Sequence, residues 1–226
     1  MRNRESEEST PLPSAEGPGN PAKTGPMIPG AVVAQRDLVT FLGQVIALPD
    51  PKRYVHLQFQ RFAGCPICEL HLRSFAQRRS DVVKAGIREV VVFHSPVEQL
   101  AVQVPNLPFV AIADPDKRLY SEFGVKTSLR SLLDPRAAVA LVRGAWQSIR
   151  EAIVAQKSAP ALHLTGGLFG LPADFLIASD GRIVASRHGV HAYDQWSVDE
   201  LLGLVESQET RPSASHNQHE TGQSKR

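Results

Sequence analysis

The segment Gly64-Cys65-Pro66-Ile67-Cys68 constrains this chain more than any other, because a strand pattern leads into it and a helix pattern leads out. Before it, Val55, Leu57 and Phe59 alternate with His56, Gln58 and Gln60, the period-two signature of a strand. After it a helical pattern runs through Ala85, and Gly86 offers the left-handed residue that closes helices. Pro66 suits the first helical position, which needs no N–H donor. Cys65 therefore stands at a helix N-terminus, where unpaired N–H groups and the positive dipole end favour thiolate over thiol. In such Cys-X-X-Cys settings a thiol pKa falls from about 8.5 towards 7 or below. Cys68 lies one turn along, within reach for a disulfide, so Cys65 attacks and Cys68 resolves. Arg61, four residues before Cys65, adds positive charge nearby; Glu69 opposes it.

The rest of the chain alternates strands and helices. Leu38–Leu48 breaks at Gly43 and reads as a hairpin. Arg88–His94 is a β-branched strand, and Ser95-Pro96-Val97-Glu98 carries a helix-start signature with Ser95 as cap. Phe109–Ala113 is a further strand, and Asp114-Pro115 opens a helix closed by Gly124. A longer helix is expected over 135–157. Phe175–Ala178 and Ile183–Ala185 form a hairpin around Ser179-Asp180-Gly181-Arg182, and Ser197-Val198-Asp199-Glu200 is a capping box. This order predicts an α/β three-layer sandwich, a mixed central sheet with helices on both faces. Residues 1–30 hold six of the 17 Pro and four of the 16 Gly and read, like the polar tail 207–226, as disordered, leaving one domain at 31–206.

Charge and hydropathy limit the function. With 25 Lys+Arg against 23 Asp+Glu, the balance gives no electrostatic reason to expect nucleic acid or an anionic membrane as partner. No apolar run approaches the roughly 18 residues of a membrane span. The first residues lack the apolar stretch of a secretory signal, so the expected location is cytoplasmic. Two cysteines cannot staple 226 residues, which leaves redox chemistry, metal binding or inert buried thiols for them. For metal, His188 and His191 could complete a tetrahedral zinc set with Cys65 and Cys68, with His71 as a further candidate ligand. A non-catalytic redox-sensing or zinc-holding module is the alternative to an enzyme. Against zinc, structural sites hold their ligand pairs on knuckles, not with one Cys heading an amphipathic helix. The polar row His56, Gln58 and Gln60 either lines the site or lies hydrogen-bonded under the 135–157 helix. The Gly166–Gly170 run lacks a Lys-Ser/Thr pair and reads as a loop, not a phosphate cradle.

The segments FAGCPICELHLRSF, EVVVFHSP, ADPDKRLYSEFGV and HAYDQWSVDELL resemble peroxiredoxin-like proteins of the alkyl hydroperoxide reductase and thiol-specific antioxidant superfamily. With Leu171-Pro172-Ala173-Asp174-Phe175, the resemblance spans roughly 31–206 and implies a thioredoxin fold. It implies that Pro172 is cis and faces the cysteines, making Cys65, Cys68 and Pro172 the catalytic set, with Arg61 stabilising the thiolate. It also implies reduction of a peroxide or a disulfide, recharge by a thioredoxin-like protein or small thiol, and a homodimer as an allowed assembly. No cofactor is required, since the dithiol stores both electrons. The sequence departs from the family where a Thr or Ser and a Pro precede the attacking cysteine: here Phe62 and Gln58 stand there. Fold and cysteine chemistry carry over; the hydroxyl that positions peroxide does not.

Overall fold

The computed structural model describes residues 27–125 and 170–210. The expected 135–157 helix lies outside them. The described chain forms β1 (Arg36–Val39), β2 (Val45–Leu48), β3 (Tyr54–Phe59), α1 (Pro66–Gln77), α2 (Arg79–Lys84), β4 (Ile87–Phe93) and α3 (Val97–Gln103). It continues as β5 (Val110–Ala113), α4 (Arg118–Glu122), β6 (Ala173–Ile177), β7 (Ile183–His188) and α5 (Val198–Glu209). Among the described residues the main sheet runs β5-β4-β3-β6-β7, with β1-β2 as a separate hairpin. β3, β4 and β5 are parallel, while β6 runs against β3 and β7. This is the mixed sandwich expected above, with β3 at its centre.

Period two sorts β3 onto both faces. Val55, Leu57 and Phe59 join Val90, Val92, Ile112, Phe175 and Ile177 in a core closed by Tyr120 and Phe123 around α4 and by Leu38, Ile46 and Leu48 of the hairpin. On the other face Phe75, Val82, Leu176, Trp196, Leu201 and Val205 join α1, α2 and α5 to the sheet. Leu72, Val91, Phe93 and Leu100 pack α1 and α3 beside them.

Several local expectations need correction. The helical stretch to Ala85 is two helices, because Arg78 leaves helical geometry at φ −109°, ψ 22°. The break keeps Phe75 of α1 and Val82 of α2 in one cluster. Ser95 does not cap α3, whose cap position is Pro96. Its hydroxyl instead accepts from the Ala63 N–H at 3.0 Å, tying the β4 exit to the loop before Cys65. α4 starts at Arg118, and the Asp114 carboxylate accepts from the N–H groups of Arg118 and Leu119, both at 2.9 Å. The packed chain also exceeds 31–206: Met27 is buried, Gly30 N–H donates to Ile183 O at 2.9 Å, and α5 runs to Glu209.

Candidate active site

Cys65 is the cap residue of α1, with Pro66 in the first turn. The loop that delivers it turns at Gly64, whose φ of +83° suits glycine. A Cβ there would also stand 2.9 Å from Oε1 of Gln103. Cys65 and Cys68 are free thiols, 2% and 3% exposed, in an apolar cluster with Phe62, Ile67 and Ala192. Arg61 is also buried, and its Nη1 lies 3.8 Å from Sγ of Cys65.

The two thiols differ electrostatically. A hydrogen bond from Cys68 brings the Cys65 thiol down to about 7 against the opposing effect of burial; the Arg61 charge and the N–H groups of Cys68 and Ile67 add to it. Burial pushes Cys68 well up, reinforced by its hydrogen bond to Cys65 and the Cys65 charge. Glu69, which the sequence set against Arg61, pairs with Arg73 at 2.6 Å on the outer side of α1. This arrangement makes Cys65 the thiolate near neutral pH and keeps Cys68 protonated.

The remaining sequence candidates are dispersed. His71 is buried one turn beyond Cys68, and its Nε2 lies 3.1 Å from Oε1 of Gln58. His188 ends β7 with its ring against Phe175, and Nδ1 of His191 accepts from the Tyr193 N–H at 3.3 Å. Among the described residues no three His, Cys, Asp or Glu side chains are placed to hold a metal ion, so the four-ligand set from Cys65, Cys68, His188 and His191 is not assembled. Pro172 is buried ahead of β6, and its carbonyl accepts from Gly189 N–H at 2.9 Å. The expected cis bond is absent there: Leu171–Pro172 is trans, and the cis bond of the described residues is Leu48–Pro49. The carbonyl of Pro172 already extends the β6–β7 ladder, and trans is the ordinary preference of an X-Pro bond.

Two features need more than the sequence shows. The polar row expected to line the site or to lie hydrogen-bonded under the 135–157 helix is hydrogen-bonded, but beneath α1, and His94 is not singled out by any pattern. Under α1, His56 Nδ1 lies 2.9 Å from Oε2 of Glu89, and its Nε2 lies 3.3 Å from Oδ1 of Asp174. Gln58 donates to Glu89, Gln60 donates to Gln58 at 3.1 Å, and Trp196 N–H donates to Asp174 at 3.1 Å. The polar row of β3 thus lies in a buried network beneath α1, with the His56 ring against Phe75 and Trp196. The second feature is His94, directly after β4 and beside Arg61, whose carbonyl lies 3.4 Å from the His94 N–H. The end of the β-branched run Arg88–His94 was the available signal, since sites in open α/β sheets gather at carboxyl ends of strands.

With this geometry in place, residues 74–189 match the family model of the AhpC/TSA antioxidant enzymes. The chain belongs to that family. The match begins at Ser74, near the end of α1 and after the two cysteines, and takes in β4, β5, β6 and β7 but not β3. No curated protein matches the AhpC/TSA chain in sequence. Among solved structures it resembles peroxidoxin BcpB from Mycobacterium tuberculosis, at 17% identity and TM-score 0.55, over 82% of this chain and 99% of that one. It also resembles the 2-Cys peroxiredoxin of Plasmodium vivax, at 12% identity and TM-score 0.55, over 81% of this chain and 83% of that one. Peroxiredoxin 6 of Arenicola marina matches at 15% identity and TM-score 0.53, over 80% of this chain and 73% of that one. These likenesses establish the thioredoxin-like fold of an AhpC/TSA protein.

Proposed function

We propose that this AhpC/TSA protein is a thiol-dependent peroxidase that cycles Cys65 and Cys68 between dithiol and disulfide. The observation that carries the reading is the asymmetry of the pair: Cys65 lowered to about 7 beside Arg61, and Cys68 held protonated one turn away. The Cys65 thiolate attacks one peroxide oxygen, forming a sulfenic acid as the O–O bond breaks and the leaving oxygen takes a proton. The Cys68 thiol then displaces water from the sulfenic acid, forming the disulfide. Two electrons pass from the sulfur pair to the peroxide, so no further cofactor enters.

Peroxide is favoured over a protein disulfide by size. Attack on a disulfide needs a partner sulfur in line with Cys65, whose residue is 2% exposed. A small peroxide needs far less room. Family membership supports the same choice. A thioredoxin-like protein or small thiol resets the pair, in the cytoplasm, and Pro172 lines the substrate side through the 170–172 segment.

The test is rapid mixing of reduced, metal-free protein with hydrogen peroxide, read by mass spectrometry. The wild type loses two hydrogens through a Cys65–Cys68 bond, far faster than a free thiol reacts. Cys68→Ser stops at sulfenic acid, and Cys65→Ser does not react. Slow oxidation by peroxide with fast reduction of a protein disulfide would replace this reading with thiol–disulfide exchange. Stoichiometric zinc lost on Cys65→Ala would favour a zinc-holding module.

A further inference from the structure

His94 is a buried titratable group that the cysteine cycle leaves without a role. It is 3% exposed, yet among the described residues neither Nδ1 nor Nε2 has a hydrogen-bond partner. Buried polar atoms are nearly always paired, so an imidazole with both nitrogens bare needs an explanation. Its ring packs 5.7 Å from that of Tyr120, whose hydroxyl lies within hydrogen-bond reach of the carbonyls of Gln60 and Val92. Tyr120 therefore fixes the ring without engaging its nitrogens.

The surroundings point to a ligand. His94 and Arg61 stand side by side at the carboxyl ends of β4 and β3, and the Arg61 guanidinium reaches Cys65 Sγ. Across from both is Gly170. A Cβ on Gly170 would stand 3.2 Å from Nε2 of His94 and 3.9 Å from Cγ of Arg61. Gly170 thus packs against the imidazole more closely than a side chain readily allows, next to the stem of the arginine that touches the reactive sulfur. The position that in peroxiredoxins carries a peroxide-positioning hydroxyl is Phe62, which has none.

We propose that His94 is a substrate-contacting residue of the peroxidase: its ring N–H holds the leaving oxygen of the peroxide while Cys65 attacks the other oxygen. This rests on the peroxidase reading above. In the step the S–O bond forms, the O–O bond breaks, and the sulfur's electron pair ends on the leaving oxygen. That oxygen takes a proton from water and departs as water or an alcohol. Burial, helped by the charges of Lys117 and Arg61, brings His94 down to about 4, so the ring is neutral at pH 7. Burial also keeps the Tyr120 hydroxyl protonated. One His94 nitrogen then donates while the other accepts.

The experiment compares wild type, His94→Leu and His94→Gln in full-length reduced protein. It measures the single-turnover rate with hydrogen peroxide and, separately, Cys65 alkylation by iodoacetamide. Loss of a donor to the leaving oxygen lowers the peroxide rate of His94→Leu by about a hundredfold or more. Alkylation stays within about twofold of wild type, because the thiolate is untouched, and His94→Gln recovers part of the peroxide rate. An unchanged peroxide rate, or peroxide and alkylation rates falling together, would overturn the contact. If His94→Leu does not fold, Gly170→Ala decides: a methyl against Nε2 lowers the peroxide rate about tenfold or more, and an unaffected rate overturns the proposal. A wild type no faster than a free thiol sinks the peroxidase reading and the His94 role together. A fast wild type with unaffected variants sinks the His94 role alone.

Discussion

Arg61 shows how far one residue's setting decides its chemistry. An arginine four residues before a cysteine is unremarkable in sequence, but here the side chain is buried with Nη1 3.8 Å from the sulfur. In a low-dielectric setting that charge acts strongly on the thiolate. Arg61→Met should therefore raise the midpoint of Cys65 alkylation from about 7 towards the ordinary thiol value of about 8.5. At pH 7 a one-unit rise takes the thiolate from about a half to about a tenth, so the alkylation rate should fall about fivefold. In the wild type the thiolate rises with pH through about 7, so the peroxide rate climbs and then levels above it. A pH profile of iodoacetamide alkylation checks both; an unmoved midpoint in Arg61→Met would remove Arg61 from the site.

Among the elements, β3 and α1 are joined by charge as well as by packing. Burial would lower His56, but the Glu89 charge, the Asp174 carboxylate 3.3 Å from Nε2 and the Glu89 hydrogen bond bring it up to about 9. An imidazolium therefore lies between two carboxylates at the centre of the sheet, under the helix that begins at Cys65. Burial lowers His71 to about 4, so it is neutral and donates Nε2–H to Gln58, fastening α1 to this network. His56→Leu leaves Glu89 and Asp174 buried without their cation and should cost about 3–5 kcal/mol of stability at pH 7. Because the folded pKa of His56 lies above its ordinary value of 6.5, this stabilisation is full below 6.5 and is lost as pH rises through about 9. Urea unfolding of both proteins at pH 6 and above pH 9 checks this, and the gap between them should narrow at the higher pH. An equal gap at both would mean that His56 acts by packing alone.

For the whole molecule, the consequence of burying both sulfurs is kinetic. Cys65 and Cys68 are 2% and 3% exposed, under the loop that Ser95 ties to β4. A reductant reaches their disulfide only after the start of α1 opens. Re-reduction by dithiothreitol should thus saturate as its concentration rises, at a rate set by local opening. Stopped-flow reduction of the oxidised protein checks this, and a rate linear in dithiothreitol throughout would place the disulfide at the surface. Among the described residues no helix is long and apolar enough to cross a membrane.

What could be read in the sequence depended on residues close together in the chain. Cys65 at the start of a helix, the hairpin at Gly43 with φ +78°, and the Ser197–Glu200 capping box all appear where expected. Each is set by φ and ψ preferences or by hydrogen bonds three or four residues apart, which the local sequence specifies. The same rules misread Ser95, because a hydroxyl able to cap α3 meets the Ala63 N–H of another segment instead. They also left the charge near Cys65 undecided, since Arg61 and Glu69 differ only in which way they face. Only the fold turned Arg61 inward and paired Glu69 with Arg73. The strand order β5-β4-β3-β6-β7 brought Glu89 and Asp174 to opposite sides of His56, and His94 beside Arg61. Contacts between residues tens of positions apart follow from which strands pair and in what register. The short-range pattern of the chain fixes the reactive pair; the neighbours that tune it exist only once the sheet has formed.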